Sequence, residues 1–228
     1  MSVAAIVPAA GRGSRLNSKI PKPFVFFSGK PLLVHTLLAL QKAYRFSEII
    51  VPVNPAMENI AKDHLHCFGL KKVCVVSGGK TRAQSVQNAL KQISSDACWV
   101  LVHDAARPLV SPDLVRRTIQ GASKTGGAIA ALPILATVKR AQLLKRVIQK
   151  TENRDTLWLA QTPQVFRRDL LEKRYRRLGR SAFGCTDEAA LFDGTAIAIK
   201  IVPGEVKNIK ITTPDDGELF QYYLKNYK

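Results

Sequence analysis

Apolar runs of four to seven residues alternate along this chain with helical stretches, and a glycine or proline turn separates each pair. No other feature limits the fold as strongly. Val3 to Ala9, Glu48 to Val53, Lys72 to Ser77, Cys98 to His103 and Gly127 to Pro133 read as buried strands. Between them, Pro31 to Tyr44 carries Leu33, Leu37 and Leu40 at helical spacing, and Ala83 to Ile93 places Val86, Ala89, Leu90 and Ile93 on one face. Ser111 and Pro112 read as an N-cap and the first residue of a helix continuing through Leu114 to Ala122. Continuous apolar strands joined by helices predict an α/β fold, a mostly parallel sheet with helices on both faces.

The alternation loosens from Val138 to Ala160, where polar and charged residues dominate. That stretch reads either as a projecting arm or as a plain surface hairpin. Order returns with Trp158 to Phe166, a basic helix from Arg167 to Leu178 and a short run from Asp187 to Phe192. Strands near Ala196 to Val202 and Lys207 to Thr212 are expected next, and Thr213 and Pro214 cap a last helix. With 228 residues, 46% of them apolar, and no repeat or linker, one domain spanning 1–228 is expected.

No apolar segment reaches the roughly 18 residues that span a bilayer. The first residues, MSVAAIVPAAG, lack a basic stretch before their apolar run, so no signal peptide is expected. Cys67, Cys74, Cys98 and Cys185 form no CxxC pair and read as reduced thiols. These features predict a soluble cytoplasmic protein. The formal charge of +18 is the outlier. Residues 139–180 hold 13 basic and 4 acidic side chains, half of that excess in under a fifth of the chain. Such a surplus suits nucleic acid, a membrane surface or phosphorylated small molecules.

Ligands of open α/β sheets bind at the carboxyl ends of the strands, so the loops there carry the functional reading. After the first strand comes PAAGRGSR and then PKP, with Arg12, Arg15 and Lys22. Small residues let backbone N–H groups approach a phosphate, and the cations could neutralise it. Neither the dinucleotide fingerprint nor Walker A is present: position 16 is Leu, and the glycine that Gly79 would need five residues earlier is Cys74. Gly78 and Gly79 still form a turn into a helix N-terminus, where an anion or a base could sit. Asp104 ends the fourth strand, placed for a metal or a sugar hydroxyl, and Arg107 offers a planar fork for phosphate. The competing reading is an internal Asp–Arg pair that fixes the loop. Lys210 stands alone in an apolar pattern and is expected to face a charge. His64, His66 and Cys67 lack a second half with ligand spacing and read as surface helix residues.

The ordered set AAGRGSR, PKP, HDAARP, AQTPQ, TDEA and NIKITTP resembles the 2-C-methyl-D-erythritol 4-phosphate cytidylyltransferase family, from about Val3 to Leu224. The resemblance implies a Rossmann-like nucleotide-binding sheet with a β-arm, here at about 138–160, that embraces a second subunit. It implies transfer of CMP from CTP to 2-C-methyl-D-erythritol 4-phosphate with release of pyrophosphate, in non-mevalonate isoprenoid precursor synthesis. It places Pro8, Ala9, Ala10 and Gly11 on the nucleotide, with Gly79, Lys80, Ser85 and Ala105. Arg15, Lys22, Arg154 and Lys210 take the catalytic roles. Asp104, Arg107, Thr137, Thr162 and Thr186 take the sugar phosphate, with Thr137 and Arg154 reaching into the partner's site. Mg²⁺ is expected mainly on the CTP phosphates, with Asp104 a possible ligand. Two positions depart from the family: Pro23 stands where glutamine is usual and Lys80 where an acid is usual. The rival readings are a ribitol 5-phosphate cytidylyltransferase and a basic nucleic-acid-binding protein, the latter leaving the phosphate-loop motifs unexplained.

Overall fold

A computed structural model describes residues 1–11, 20–70, 72–94 and 96–226. The central sheet holds β1 (Val3–Ile6), β4 (Ile49–Val53), β5 (Val73–Ser77), β6 (Trp99–Val102), β7 (Gly127–Pro133), β10 (Trp158–Arg167) and β11 (Lys200–Pro203). Two short strands, β2 (Phe26–Phe27) and β3 (Lys30–Pro31), pair with each other, as do β8 (Lys139–Ala141) and β9 (Ile148–Thr151). The helices are α1 (Leu32–Ala43), α2 (Glu58–Cys67), α3 (Arg82–Leu90), α4 (Pro112–Thr125), α5 (Arg168–Leu178) and α6 (Pro214–Asn226).

The spatial order of the large sheet is β11-β7-β10-β6-β1-β4-β5. Every pairing in it is parallel except those of β10, which runs antiparallel to both β6 and β7. β1 lies between β4, reached through α1, and β6, reached much later through α3. The chain therefore reverses its direction of travel across the sheet beside β1. At such a point adjacent loops diverge and leave a crevice at the carboxyl ends of the strands.

Strand periodicity sorts the two cores. In β1, Val3 and Ala5 join the cluster under α1, α2 and α4, while Ala4 and Ile6 join the one under α3 and α5. Both sides of β1 are thus apolar, as its unbroken run predicts. Phe27, Leu32, Ala106, Ile211 and Phe220 form a third cluster that fastens α6 to the loop after β6. Ser111 caps α4 as expected, its Oγ accepting from Leu114 N at 3.0 Å.

Two expectations are corrected. Lys207 to Thr212 is not a strand. Its backbone joins the body through Ile211 N, which donates to Ala106 O at 2.8 Å, and burial of Ile211, with Ile209 packed against the same cluster, accounts for the apolar pattern. Only Lys200–Pro203 of the preceding apolar stretch pairs as a strand. The loosened stretch is a hairpin, β8–β9, and every residue of both its strands is exposed. His64, His66 and Cys67 lie on α2, and among the described residues no group of three or more His, Cys, Asp or Glu could hold a metal. No described helix is long and apolar enough to cross a membrane. The four cysteines are unpaired.

Candidate active site

One pocket opens at the crevice beside β1. The loop after β1 brings Pro8, Ala9, Ala10 and Gly11 to it, and the loop after β6 brings Asp104 and Ala105. Gly79, Lys80 and Ser85 enter from the turn between β5 and α3, Lys22 from a 3-10 turn, and Lys210 from the late extended segment. Arg12 and Arg15, assigned to phosphate from the sequence, lie outside the described residues.

The glycine turn is held by its own helix. Thr81 caps α3, its Oγ1 accepting from Gln84 N at 3.1 Å. Ser85 Oγ accepts from Gly79 N at 2.9 Å and donates to Thr81 O at 2.9 Å, while Gln84 Oε1 accepts from Lys80 N at 2.8 Å. Close approach explains both glycines. A Cβ on Gly78 would lie 2.6 Å from Ala10 Cβ, and one on Gly79 would lie 2.4 Å from Gln84 Cγ. Lys80 keeps its side chain exposed, so its departure from the family's usual acid leaves this backbone geometry intact. Pro23 sits at the start of a 3-10 turn, where a missing N–H costs nothing.

Charge is concentrated around Asp104. Its Oδ1 lies 3.1 Å from Arg82 Nε, and its Oδ2 lies 2.8 Å from Lys210 Nζ and 3.7 Å from Arg107 Nε. Burial alone would raise this carboxyl. Arg82 first, then Lys210 and Arg107, overcome that and hold it well below the usual carboxylate range. Asp104 is therefore a fixed anion. It is also the one carboxylate among the described residues that line the pocket. Lys22 Nζ donates to Ile211 O at 3.0 Å, tying its turn to the segment that carries Lys210.

The remaining assigned residues stand elsewhere. Arg107 is buried and does not line the pocket; its Nη1 donates to Asn208 O at 2.7 Å, which clamps the loop after β6 against the 207–212 segment. Thr162 is buried too. Its Oγ1 accepts from Asp104 N at 3.0 Å and bonds His103 Nδ1 at 3.1 Å. Thr186 is exposed beside Asp187, which accepts from Gln164 Nε2 at 2.8 Å. Thr137 and Arg154 are exposed on either side of the β8–β9 hairpin, where Arg154 Nη1 donates to Leu135 O, and neither lines this pocket.

Sequence reasoning assigned no role to Arg82 or His103, and gave Glu188 only a place in the TDEA motif. Arg82 left one signal: it is a cation at the first position of a helix without an acid in its first turn, against the favourable sense of the helix dipole.

A crevice at a strand-order reversal, walled by a glycine turn on a helix N-terminus and by lysines around one fixed carboxylate, defines a nucleotide-binding enzyme that handles phosphate groups. Comparison with known proteins narrows that class. A sequence model of the 2-C-methyl-D-erythritol 4-phosphate cytidylyltransferase family matches residues 3–226. The enzyme of that name from Syntrophus aciditrophicus is 39% identical over 225 residues, covering 98% of this chain and 96% of its own length. The crystal structure of the 4-diphosphocytidyl-2C-methyl-D-erythritol synthase from Anaerococcus prevotii superposes with a TM-score of 0.85 at 32% identity, covering 99% of this chain and 96% of that one. The 2-C-methyl-D-erythritol 4-phosphate cytidylyltransferase from Thermus thermophilus gives 0.82 at 31%, covering 99% and 100%. The chain belongs to the 2-C-methyl-D-erythritol 4-phosphate cytidylyltransferase family.

Proposed function

We propose that this pocket performs cytidylyl transfer from CTP to 2-C-methyl-D-erythritol 4-phosphate, in isoprenoid precursor synthesis, as follows. Pro8 to Gly11, with Gly79, Lys80, Ser85 and Ala105, seat the nucleotide. Lys22, with Arg15, stabilises charge at the α-phosphate. Lys210 and Asp104 receive the polyol phosphate, beside Arg107, Thr162 and Thr186. An acceptor phosphate oxygen attacks the α-phosphorus, a P–O bond forms, and the bond to the β-phosphate oxygen breaks with its electron pair leaving on pyrophosphate. The nucleophile is already ionised at neutral pH, so no protein base is needed, and positioning and charge stabilisation remain as the protein's tasks. The observation that carries this reading is the convergence of Lys22, Asp104, Lys210 and the glycine turn on one crevice, in a chain of this family.

A divalent cation fits this pocket only as a passenger on the nucleotide. Asp104 is the single carboxylate available among the described residues, and cations already engage both its oxygens. Mg²⁺ carried on the triphosphate would neutralise the charge gathering on pyrophosphate.

The active unit in this reading is a homodimer built by the arm. Leu143 and Leu144, between β8 and β9, are 91% and 95% exposed, and Leu135, Ile148 and Leu159 add further apolar surface at the arm and its base. A second copy of this chain is the occupant that also accounts for Thr137 and Arg154, which stand clear of their own pocket and would enter the partner's. Unpaired cysteines and phosphorylated metabolites as substrates support a cytoplasmic location.

The test is Mg²⁺-dependent pyrophosphate release from CTP with and without methylerythritol 4-phosphate. Release only with both substrates is expected. Release with ribitol 5-phosphate instead would reassign the acceptor.

A further inference from the structure

Behind the pocket lies a buried carboxylate to which the transfer chemistry assigns no task. Glu188 is 0% exposed. Its two oxygens accept from Arg82 Nη1 at 2.8 and 2.9 Å, and Oε1 also accepts from the Tyr175 hydroxyl at 3.3 Å. Arg82 turns its Nε the other way, onto Asp104 Oδ1, and Asp104 Oδ2 meets Lys210. A row of side chains thus runs from the core under α5 to the mouth of the pocket: Tyr175, Glu188, Arg82, Asp104, Lys210.

Stability is a poor reason for this row. Desolvating paired charges costs about as much as their attraction returns, and apolar residues of similar volume would hold the fold as well. Arg82 also sits where a helix dipole disfavours a cation. The planar fork is what the place demands, because Nε and Nη1 must point at two different carboxylates. Arg82 directly follows the Gly78 to Thr81 turn, so whatever fixes its guanidinium relates that turn to Asp104.

We propose that Arg82 and Glu188 are positioning residues for the transfer reaction, a strut that sets the Asp104 carboxylate, and through it the Lys210 ammonium, relative to the nucleotide turn. The inference rests on the functional reading above and adds the distance between its two seats. The nucleotide turn keeps its own bonds to Thr81, Gln84 and Ser85, so CTP binding stays independent of the strut. Alignment of the acceptor does not. A misplacement of about 1 Å at the reacting groups lowers turnover by up to about 100-fold.

The experiment is a mutant cycle with Arg82→Lys, Asp104→Asn and the pair, alongside Glu188→Gln, each assayed for kcat and for KM of both substrates. Glu188→Gln and Arg82→Lys are expected to lower kcat/KM for the acceptor about 10- to 100-fold, with KM for CTP within about twofold. The double variant is expected to be no slower than Asp104→Asn alone, since Arg82 acts through Asp104. Losses that multiply in the double variant, or that move both KM values together, would overturn the strut. Wild-type turnover is the separate control on the functional reading. If wild type makes no product, that reading fails and the strut is judged by crystallography of Arg82→Lys, which keeps the charge and removes the fork. Displacement of Asp104 from Lys210 is expected there, and an unchanged contact near 2.8 Å would overturn the proposal.

Discussion

His103 allows the charge management behind the pocket to be measured as stability. Its ring is fully buried. Nε2 lies 3.0 Å from Arg107 O, which can only accept, so Nε2 carries the proton and Nδ1 accepts from the Thr162 hydroxyl. Burial pushes the imidazole down from 6.5 to about 4. The bond to Arg107 O and the Asp104 charge pull it up incompletely, and the Arg107 and Arg82 charges add to the depression. The unfolded chain therefore takes up a proton as pH falls through 6.5, whereas the folded one waits until about 4. Stability from this group is complete above pH 6.5 and is lost on acidification across that window. The gap is worth about 3 kcal/mol. His103→Gln can donate to Arg107 O and accept from Thr162, but it does not titrate. Urea unfolding of both proteins between pH 7.5 and 4 isolates the term, because burial's upward push on Glu188 and the depression of Asp104 are common to both and cancel in the difference. The variant is expected to be the less stable protein at pH 7 and to gain on wild type by about 3 kcal/mol by pH 4. Parallel curves would refute the buried neutral imidazole.

Lys22→Ala is expected to lower kcat by about 10²- to 10³-fold, the loss seen when one preorganised donor is removed, and near-normal turnover would take Lys22 out of the mechanism. Leu143→Glu combined with Leu144→Glu is expected to give a folded monomer without activity, checked by light scattering and the pyrophosphate assay, since both side chains stand in solvent on the isolated chain. Mixing inactive Lys22→Ala and Arg154→Ala homodimers under subunit exchange is expected to restore activity, because one site of each heterodimer would then carry neither substitution. Failure to complement would place Arg154 on its own subunit's chemistry. Gly78→Ala is expected to cost about 1–3 kcal/mol by thermal or urea melts, as its Cβ would meet Val53 O at 2.9 Å, backbone that cannot step aside.

Much of the fold was legible because apolar runs here end at glycine or proline. Gly127–Pro133 matches its sequence reading at both ends, and Trp158–Arg167 differs by one residue. The misreading of Lys207 to Thr212 has a physical cause. Alternating Ile209 and Ile211 satisfy a strand pattern, but the pattern records burial against α6 and Ala106 rather than a ladder. The pocket walls were legible by the same logic, since strand ends are marked by the runs themselves. Arg82 with Glu188 was not, because its partner lies 106 residues away and nothing local to either residue announces the other. Arg107 shows how a side chain's chemistry can leave its role open: a planar fork suits phosphate or a carbonyl, and here it meets Asn208 O.

The antiparallel strand explains why the pocket and the β8–β9 hairpin share one edge of the sheet. β7 ends at Pro133, which pairs with Trp158 at the start of β10, so residues 134–157 form an insertion at the carboxyl edge of the sheet, the edge that holds the pocket. Had β10 run parallel, the chain would have crossed to the opposite edge before entering it. The register between β10 and β7 then shifts between Ala160 and Gln164, and Thr162 within that irregularity reaches His103 and the Asp104 N–H. Such bulges bend a strand and re-aim its side chains. One strand reversal thus puts the β8–β9 hairpin at the edge of the sheet that holds the crevice, and one register shift in the same strand braces the loop that carries Asp104. A substitution that straightened β10 at Thr162 would therefore disturb both the loop that carries Asp104 and the base of the hairpin, which separate strands would have kept independent.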